Sequence, residues 1–251
     1  MSSTGRAGVR KLDDFYRTPD WCTDALDDIL KSSRFPVKLP PKRECGFCDP
    51  CAGDGAIVHR LNWLGYENLS AVEIDEVRAS AIDKQKCGDV VCANFLSLKS
   101  HHLSPEIHVF GTNPPFSIAQ EVIEHCLRLR PQAVVANLLR VNFLGGKKRK
   151  TFFAANKCDV HVFSRRPKFA ENITWQVSIR ALNNNGKNAW VKKEGPFEDE
   201  HRANVVRRGL SLEYPFETFK VHKKKTTSDS CEYAWFLFYE GCQGRWYRVE
   251  V

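Results

Sequence analysis

No stretch of the sequence approaches the roughly 18 uninterrupted apolar residues that a membrane helix needs, and Met1 to Lys11 lacks the apolar core of a secretory signal. The expectation is an intracellular protein, in the cytoplasm, a nucleus or a host cytoplasm, with no membrane partner. Internal repeats are absent, and biased composition is confined to short basic clusters at Lys147 to Lys150 and Lys223 to Lys225, so neither changes the domain count. A complete metal framework is also missing. Cys45, Cys48 and Cys51 form a C-x-x-C-x-x-C run, but no second C-x-x-C completes four ligands. The run crosses an apparent strand and a glycine turn, and thiols inside a cell stay reduced, so these cysteines read as small buried hydrophobes and no metal is expected. There is no G-x-G-x-x-G either, which argues against a dinucleotide site.

What is present suffices for a sizeable core. Of 251 residues, 42% are hydrophobic and 27% charged, ordinary proportions for a folded chain whose length suits one α/β domain with an elaboration. Lysine and arginine number 38 against 30 acids, and the formal charge of +8 favours a polyanionic partner without identifying it. Pro19 to Ser33 carries Trp21, Ala25, Leu26, Ile29 and Leu30 at helical spacing, with Thr18 as N-cap and Pro19 in the first turn. Pro36, Pro40 and Pro41 then make Arg34 to Arg43 an extended linker.

From Glu44 onward, short apolar runs at Cys45 to Cys48, Ser70 to Ile74, Val90 to Cys92, Ile107 to Phe110, Ala133 to Leu139 and Val160 to Phe163 alternate with helical patterns. Those patterns lie near Ala56 to Leu64, Glu76 to Lys84 and Ile118 to Leu129. Such alternation predicts a doubly wound, mostly parallel α/β sheet covered on both faces, with the aromatic run Tyr233 to Tyr239 as its seventh and closing strand. Between Ala170 and Thr226 the alternation fails. One domain spanning 1–251 is therefore expected to carry an insertion at 170–226 with its own small substructure.

In an open parallel sheet, ligands bind beyond the carboxyl ends of the strands, where strand order reverses. The first strand is followed by Asp49-Pro50-Cys51-Ala52-Gly53-Asp54-Gly55-Ala56, where two glycines let backbone approach a ligand and the next helix offers free N–H groups. A plain strand-to-helix turn has the same needs. Glu73 and Asp75 come about twenty residues later, where an acid can hold ribose hydroxyls, although each also suits a helix N-cap. After the third strand, Asn94-Phe95 offers an amide for an adenine edge and a ring for stacking. Without a pyrophosphate signature, adenosine fits these loops better than a dinucleotide.

The fourth strand ends in Thr112-Asn113-Pro114-Pro115-Phe116. The exocyclic amine of a base is a poor nucleophile, because its lone pair is delocalised into the ring. A catalyst has to accept its hydrogens and aim it at an electrophilic carbon. The Asn113 side-chain oxygen and the Pro114 carbonyl are suitable acceptors, two prolines hold them rigidly, and the Phe116 ring can stack on the base. A base inside a duplex would have to be flipped out to reach such a pocket.

On these residues the sequence resembles the class I amino-methyltransferases that act on nucleic acids, the phage-type N6-adenine DNA enzymes in particular. The resemblance implies a Rossmann-like fold, S-adenosylmethionine as cofactor, and Asn113, Pro114, Pro115 and Phe116 as the catalytic motif. It further implies that Asp49, Pro50, Ala52, Gly53 and Gly55 face the methionine side of the cofactor, Glu73 the ribose, and Asn94 and Phe95 the adenine, with Ile74 and Asn113 touching the cofactor as well. Tyr16-Arg17-Thr18-Pro19 is similar to an N-terminal Thr-Pro element that flanks the cofactor, which adds Tyr16, Thr18 and Pro19. The family often has Asp-Phe where this chain has Asn94-Phe95. The likeness covers Phe15 to Phe169 and resumes at Ser228 to Tyr239. Within it, Arg166-Pro167-Lys168-Phe169 and Asp229 to Phe236 match segments normally separated by a short hairpin, which the insertion replaces here.

The rim beyond the fifth strand carries Gly145-Gly146-Lys147-Lys148-Arg149-Lys150, and the next strand-end loop carries Arg165, Arg166 and Lys168. These cations are expected on phosphates, and Phe143 beside a flipped base. The insertion adds Lys192, Lys193, Arg207, Arg208 and several aromatics, opposed by Glu198-Asp199-Glu200, and is the expected recognition element. Adenine N6 in DNA is the first substrate reading. Adenine in RNA would use the same four residues, and cytosine N4 is chemically close. A non-catalytic nucleic-acid-binding module of the same fold is opposed by the intact Asn113 to Phe116 beside Gly53 and Gly55. A small molecule or a glutamine side chain presents similar hydrogens but suits the basic balance less well.

Overall fold

The computed structural model describes residues 16–167, 169, 172–182, 188–197, 200–214, 218–226 and 231–251. The elements in chain order are α1 (Asp20–Lys31), β1 (Gly46–Asp49), α2 (Ala56–Trp63), β2 (Leu69–Glu73), α3 (Glu76–Ala81), β3 (Asp89–Cys92), β4 (Ile107–Thr112), α4 (Ala119–Leu129), β5 (Val134–Arg140), α5 (Lys150–Ala155), β6 (Asp159–Phe163), β7 (Asn172–Leu182), β8 (Asn188–Phe197), α6 (Glu200–Glu213), β9 (Phe219–Thr226), β10 (Tyr233–Phe238) and β11 (Trp246–Val249). They form two compact units, Met1–Phe169 with Asp229–Val251, and Ala170–Ser228.

The first unit is built on an eight-stranded sheet in the order β11-β6-β10-β5-β4-β1-β2-β3. All its pairings are parallel except those of β10, which runs antiparallel between β5 and β6. The chain steps outward from β1 through β2 to β3 and then returns to the other side of β1 as β4, so strand order reverses between β1 and β4. The seven anticipated strands are joined by an eighth, β11. It lies at the edge with exposed and half-buried residues in alternation, and so carries no continuous apolar run by which to recognise it.

Successive residues of the central strands enter two cores on opposite faces. Phe47, Val109, Leu138 and Trp235 belong to one core and Cys48, Phe110, Leu139 and Phe236 to the other. The first is covered by α1 and α2 through Leu26, Leu30 and Leu61, the second by α4 through Val122, Ile123 and Cys126. All six residues of β10 are buried, as expected for a strand with neighbours on both edges and helices on both faces. Trp235 donates its indole N–H to the Cys22 carbonyl at 2.7 Å, and Arg60 makes a forked ion pair with Asp24, so α1 is fastened to β10 and to α2.

Helix α1 starts one residue later than expected. Pro19 is its N-cap and accepts the first backbone bond, from Cys22 N–H at 2.9 Å. Thr18 does not cap the helix, because its hydroxyl is engaged by Asn113. Helix α3 closes at Ala81 rather than Lys84, since Ile82 turns extended and the Asp83 carboxylate takes the Gln85 N–H in a turn.

In the second unit, β7 is the central strand of a three-stranded antiparallel sheet, β8-β7-β9. Helix α6 packs on one side, and Val177, Ala203 and Phe219 form the small buried core.

Gly111, two residues before the Asn-Pro-Pro-Phe motif, has no room for a side chain, because a Cβ there would lie 2.2 Å from the Phe47 ring. Gly111→Ala forces apart β1 and β4, the pair that flanks the strand reversal. It should cost about 1–3 kcal/mol and lower the thermal midpoint by several degrees, measured by circular dichroism. An unchanged midpoint would show that the two strands separate freely.

Candidate functional site

The loops following β1, β2, β3 and β4 converge at the strand reversal on a cavity of about 260 Å³. The β1 loop contributes Asp49 to Asp54, β2 contributes Glu73 and Ile74, the β3 loop Ala93 to Leu96, and the β4 loop Asn113, Pro115, Ser117 and Ile118. Tyr16 and Thr18 close it from the N-terminal side. Residues expected from five separated stretches of sequence are thus brought to one site: Tyr16, Thr18, Asp49, Pro50, Ala52, Gly53, Glu73, Ile74, Asn94, Phe95, Asn113 and Pro115.

The β1 loop owes its shape to two left-handed residues, Gly53 at φ 57° and Gly55 at φ 80°. Gly55 is the N-cap of α2 and supports the loop from outside the cavity lining. The loop is tied to β2 by Glu73, whose carboxylate accepts from Gly53 N–H at 2.7 Å and from Asp75 N–H at 2.9 Å and pairs with Arg78 at 3.2 Å. Glu73 is buried, and its neighbour Asp75 takes the other role foreseen for it, capping α3 by accepting from Arg78 N–H. Asn94 accepts from Leu96 N–H through its side-chain oxygen, which caps a short 3-10 turn and leaves the amide nitrogen to serve a ligand.

The charges of the cavity are mainly negative. Asp49, Asp54 and Glu73 line it. Of the nearby cations, Arg78 is committed to Glu73, and Arg17 is committed to Asp54. Asp49 is fully enclosed, and burial, reinforced by the charges of Glu73 and Asp54, raises its carboxyl to about 7 despite a hydrogen bond from Cys51 N–H. A group so placed gains from a cationic ligand and opposes a phosphate.

Asn113 donates through its side-chain nitrogen to the Tyr16 carbonyl at 3.1 Å and to the Thr18 hydroxyl at 3.2 Å. Both N–H groups are thereby used, and no described residue donates to its side-chain oxygen. Pro114 is buried beneath it. Phe116 stands off the cavity lining, half-buried, with its ring 6.1 Å from that of Tyr233 and the Arg140 guanidinium 4.8 Å over it. Pro19 likewise lies outside the lining, as the α1 cap. Arg78, Leu96, Ser117 and Ile118 were not anticipated. Arg78 had a signal in its position five residues after Glu73, at the start of a helix that points it back at that acid, whereas the other three follow from loop geometry alone.

The expected nucleic-acid contacts divide. Lys147 and Lys150 are exposed on the rim. Phe143 is a correction: it is 5% exposed and packs among Phe152, Phe153 and Phe236, because its short 3-10 turn folds the ring into the core rather than toward the cavity. Arg149 stacks on that ring and donates to the Phe143 and Gly145 carbonyls, so its guanidinium shapes the loop. Arg165 lies over Trp21 and Arg166 pairs with Glu232. Lys168 and the side chain of Lys148 lie outside the described residues. Cys45 and Cys48 enter opposite cores, and burial raises their thiols to about 11 and about 12. Among the described residues no group of three or more His, Cys, Asp or Glu side chains is arranged to hold a metal ion, and no helix is long and apolar enough to cross a membrane.

No family model matches the chain, and no curated protein matches it by sequence. Solved structures do match. A Listeria monocytogenes protein assigned to the class I S-adenosylmethionine-dependent methyltransferases aligns with 98% of this chain and 68% of its own, at 12% identity and a TM-score of 0.51. A Pyrococcus horikoshii protein assigned as an RNA methyltransferase aligns with 89% of this chain and 86% of its own, at 13% identity and a TM-score of 0.41. The 23S rRNA methyltransferase ErmE aligns with 79% of each chain, at 14% identity and a TM-score of 0.40. The chain has the Rossmann-like class I methyltransferase fold. At these identities the likeness speaks of fold and leaves the chemistry to the residues.

The raised Asp49 carboxyl has a measurable consequence. Its folded value lies above its unfolded one, so the neutral acid contributes stability at low pH, and that contribution disappears as pH rises through about 7. From about pH 5 to about pH 8 the protein should therefore lose thermal stability relative to Asp49→Asn. If the two melting curves shifted in parallel across that range, the buried acid would not be the titrating group.

Proposed function

We propose that this chain transfers the methyl group of S-adenosylmethionine to the exocyclic amine of a nucleic-acid base, adenine N6 in DNA being the first candidate. The observation that carries this reading is the tethering of Asn113. With its side-chain nitrogen held by Tyr16 and Thr18, its oxygen is directed as an acceptor at the mouth of a cavity suited to a cationic adenosyl ligand.

The fit of the cofactor rests on the residues present. Glu73 offers a carboxylate for the ribose hydroxyls, Ile74 and Phe95 offer apolar surface for the adenine, and the Asn94 amide nitrogen offers a donor for its edge. Asp49 and Asp54 suit the ammonium and sulfonium charges, while the lack of an uncommitted cation in the lining speaks against a pyrophosphate. When bound, the cofactor supplies an electrophilic methyl carbon on a positively charged sulfur.

The chain's own groups do the positioning. The Asn113 side-chain oxygen and the Pro114 carbonyl accept the two N–H hydrogens of the target amine, pyramidalising the nitrogen and turning its lone pair toward the methyl carbon. With a methyl donor bound, these two acceptors would lie beside the amine nitrogen on which positive charge develops. One proton then leaves through them to water. The base plane lies against Phe116, where it takes the place of the Arg140 guanidinium. Arg140 is tethered there by the Tyr233 hydroxyl at 3.1 Å, so the ring keeps a planar cation until a base arrives. Lys147 and Lys150 on the rim, and the unit inserted at 170–226, are the proposed contacts for the flanking phosphates. DNA is preferred to RNA here only through the likeness of the motif segments to phage-type enzymes.

The decisive assay is transfer of labelled methyl from S-adenosylmethionine to duplex DNA, single-stranded DNA and RNA in parallel, followed by nucleoside analysis. Asn113→Ala should lower turnover by about 10²-fold or more while calorimetry shows cofactor still bound. Turnover within tenfold of the parent protein would remove Asn113 from the mechanism. In the same calorimeter, Glu73→Ala should weaken the cofactor at least about tenfold, the loss of charged hydrogen bonds to the ribose, whereas Asp75→Ala should act only through its helix cap. A reversed order would transfer the ribose contact to Asp75.

A further inference from the structure

One face of the sheet β8-β7-β9 carries polar, cationic and aromatic residues together. Strand register puts Val177, Ile179 and Phe219 on one side, since Ile179 pairs with Phe219, and Val177 and Phe219 are buried. The alternate positions Arg180, Ser178, Trp190, Lys220 and His222 then share the opposite face, with Arg180 paired to Trp190 and Ser178 to Lys220. On that face Trp190 is 39% exposed. Lys220 lies over its ring at 6.0 Å and the His222 ring meets it edge-on at 5.5 Å. Arg180 is exposed, and no described residue makes an ion pair with it.

Two further facts separate this face from an ordinary solvated one. The Ser178 hydroxyl and the His222 Nε2 are enclosed on this face without hydrogen-bond partners among the described residues. The unit from 170 to 228 also holds eleven Lys and Arg against seven Asp and Glu, half of the chain's net charge. A part-exposed indole with Lys220 over its ring and Arg180 paired beside it matches the chemistry of a stacked base with a phosphate on either side.

We infer that this face of β7, β8 and β9 binds an unpaired nucleic-acid strand, with one base stacked on Trp190 and the adjoining phosphates held by Arg180 and Lys220. The inference rests on the nucleic-acid reading of the chain but not on methyl transfer. A duplex, whose bases are already stacked on one another, cannot offer a ring to Trp190, so the face should discriminate by strandedness. Stacking and charge on this face carry no base-edge readout, so it should tolerate sequence.

The test uses the full chain and short fluorescent oligonucleotides of single-stranded DNA, single-stranded RNA and duplex DNA, read by anisotropy at several salt concentrations. Trp190→Ala should weaken single strands by about tenfold and duplex far less, and Trp190→Phe should restore most of the loss. Arg180→Ala with Lys220→Ala should weaken binding and flatten its salt dependence. Melting curves and calorimetry with S-adenosylmethionine on each variant report whether the rest of the chain is intact. Unchanged affinity and salt slope in folded variants would overturn the inference, as would equal losses for Trp190→Ala and Trp190→Phe. Oligonucleotide binding that depends on Trp190 without any methyl transfer would sustain this face and sink the enzymatic reading. Methyl transfer indifferent to Trp190, Arg180 and Lys220 would do the reverse.

Discussion

One buried carboxylate organises the cavity. Glu73 receives Gly53 N–H from the loop after β1, Asp75 N–H from the loop after β2, and the Arg78 guanidinium from α3. The loop after β1 and the 73–78 segment that leads from β2 into α3 are thus held together by a single charged group. Enclosing that charge is costly unless it is compensated, so the hydrogen bonds and Arg78 are conditions of the fold at this point as much as features of a binding site. The left-handed Gly53 follows from the same constraint, because only there does the loop backbone turn its N–H back toward Glu73. A ribose would then meet an acid whose position has been set in advance, and the ordering cost of binding is reduced accordingly.

The second constraint ties the chain's N-terminal side to the motif after β4. The Tyr16 carbonyl and the Thr18 hydroxyl fix the orientation of the Asn113 amide, and α1, which begins immediately afterwards, is fastened to β10 by the Trp235 bond to Cys22 and to α2 by Arg60. The acceptor oxygen of Asn113 is therefore held by a segment 95 residues away in the chain, itself anchored to the core on two sides. Thr18 fails to cap its helix for this reason. A local preference of order 1 kcal/mol gives way to a contact that a distant side chain can make only in the folded state.

Much of the fold was legible because parallel strands buried on both faces read as short apolar runs, and the interleaved helices carry one apolar stripe each. The cavity was legible for a related reason. In this topology, residues just beyond strand ends meet at one place, so Asp49, Glu73, Asn94 and Asn113 could be grouped by position before any contact was known. What failed depended on the direction of a side chain rather than its place in the chain. Phe143 follows a strand end like the others, but the 3-10 turn it belongs to sends its ring into the core, and Arg149, counted among the free cations, is spent on that turn. Arg140 over Phe116 was equally invisible, since β5 ends beside β4 only in three dimensions. Strand β11 escaped notice because an edge strand with one solvated face has no apolar run to detect.

The insertion shows where pattern reading stops for want of a core. A three-stranded sheet with one helix buries little, so its strands hold few apolar residues, and their alternation is interrupted by the register shifts near Val177. Yet the scarcity of buried surface is itself informative. A sheet with Trp190, Arg180 and Lys220 together on one face keeps aromatic and cationic groups part-exposed there. Exposed tryptophan is unfavourable in water unless something covers it, and the local excess of cations restricts what that can be. The same charge logic runs in the opposite sense at the cavity, where the carboxylates Asp49, Asp54 and Glu73 and the engagement of Arg17 and Arg78 disfavour a phosphate. The chain thus separates its charges by role, acids where a cationic small molecule would sit and bases where a polyanion would lie. A net charge of +8, taken over the whole sequence, conceals that division.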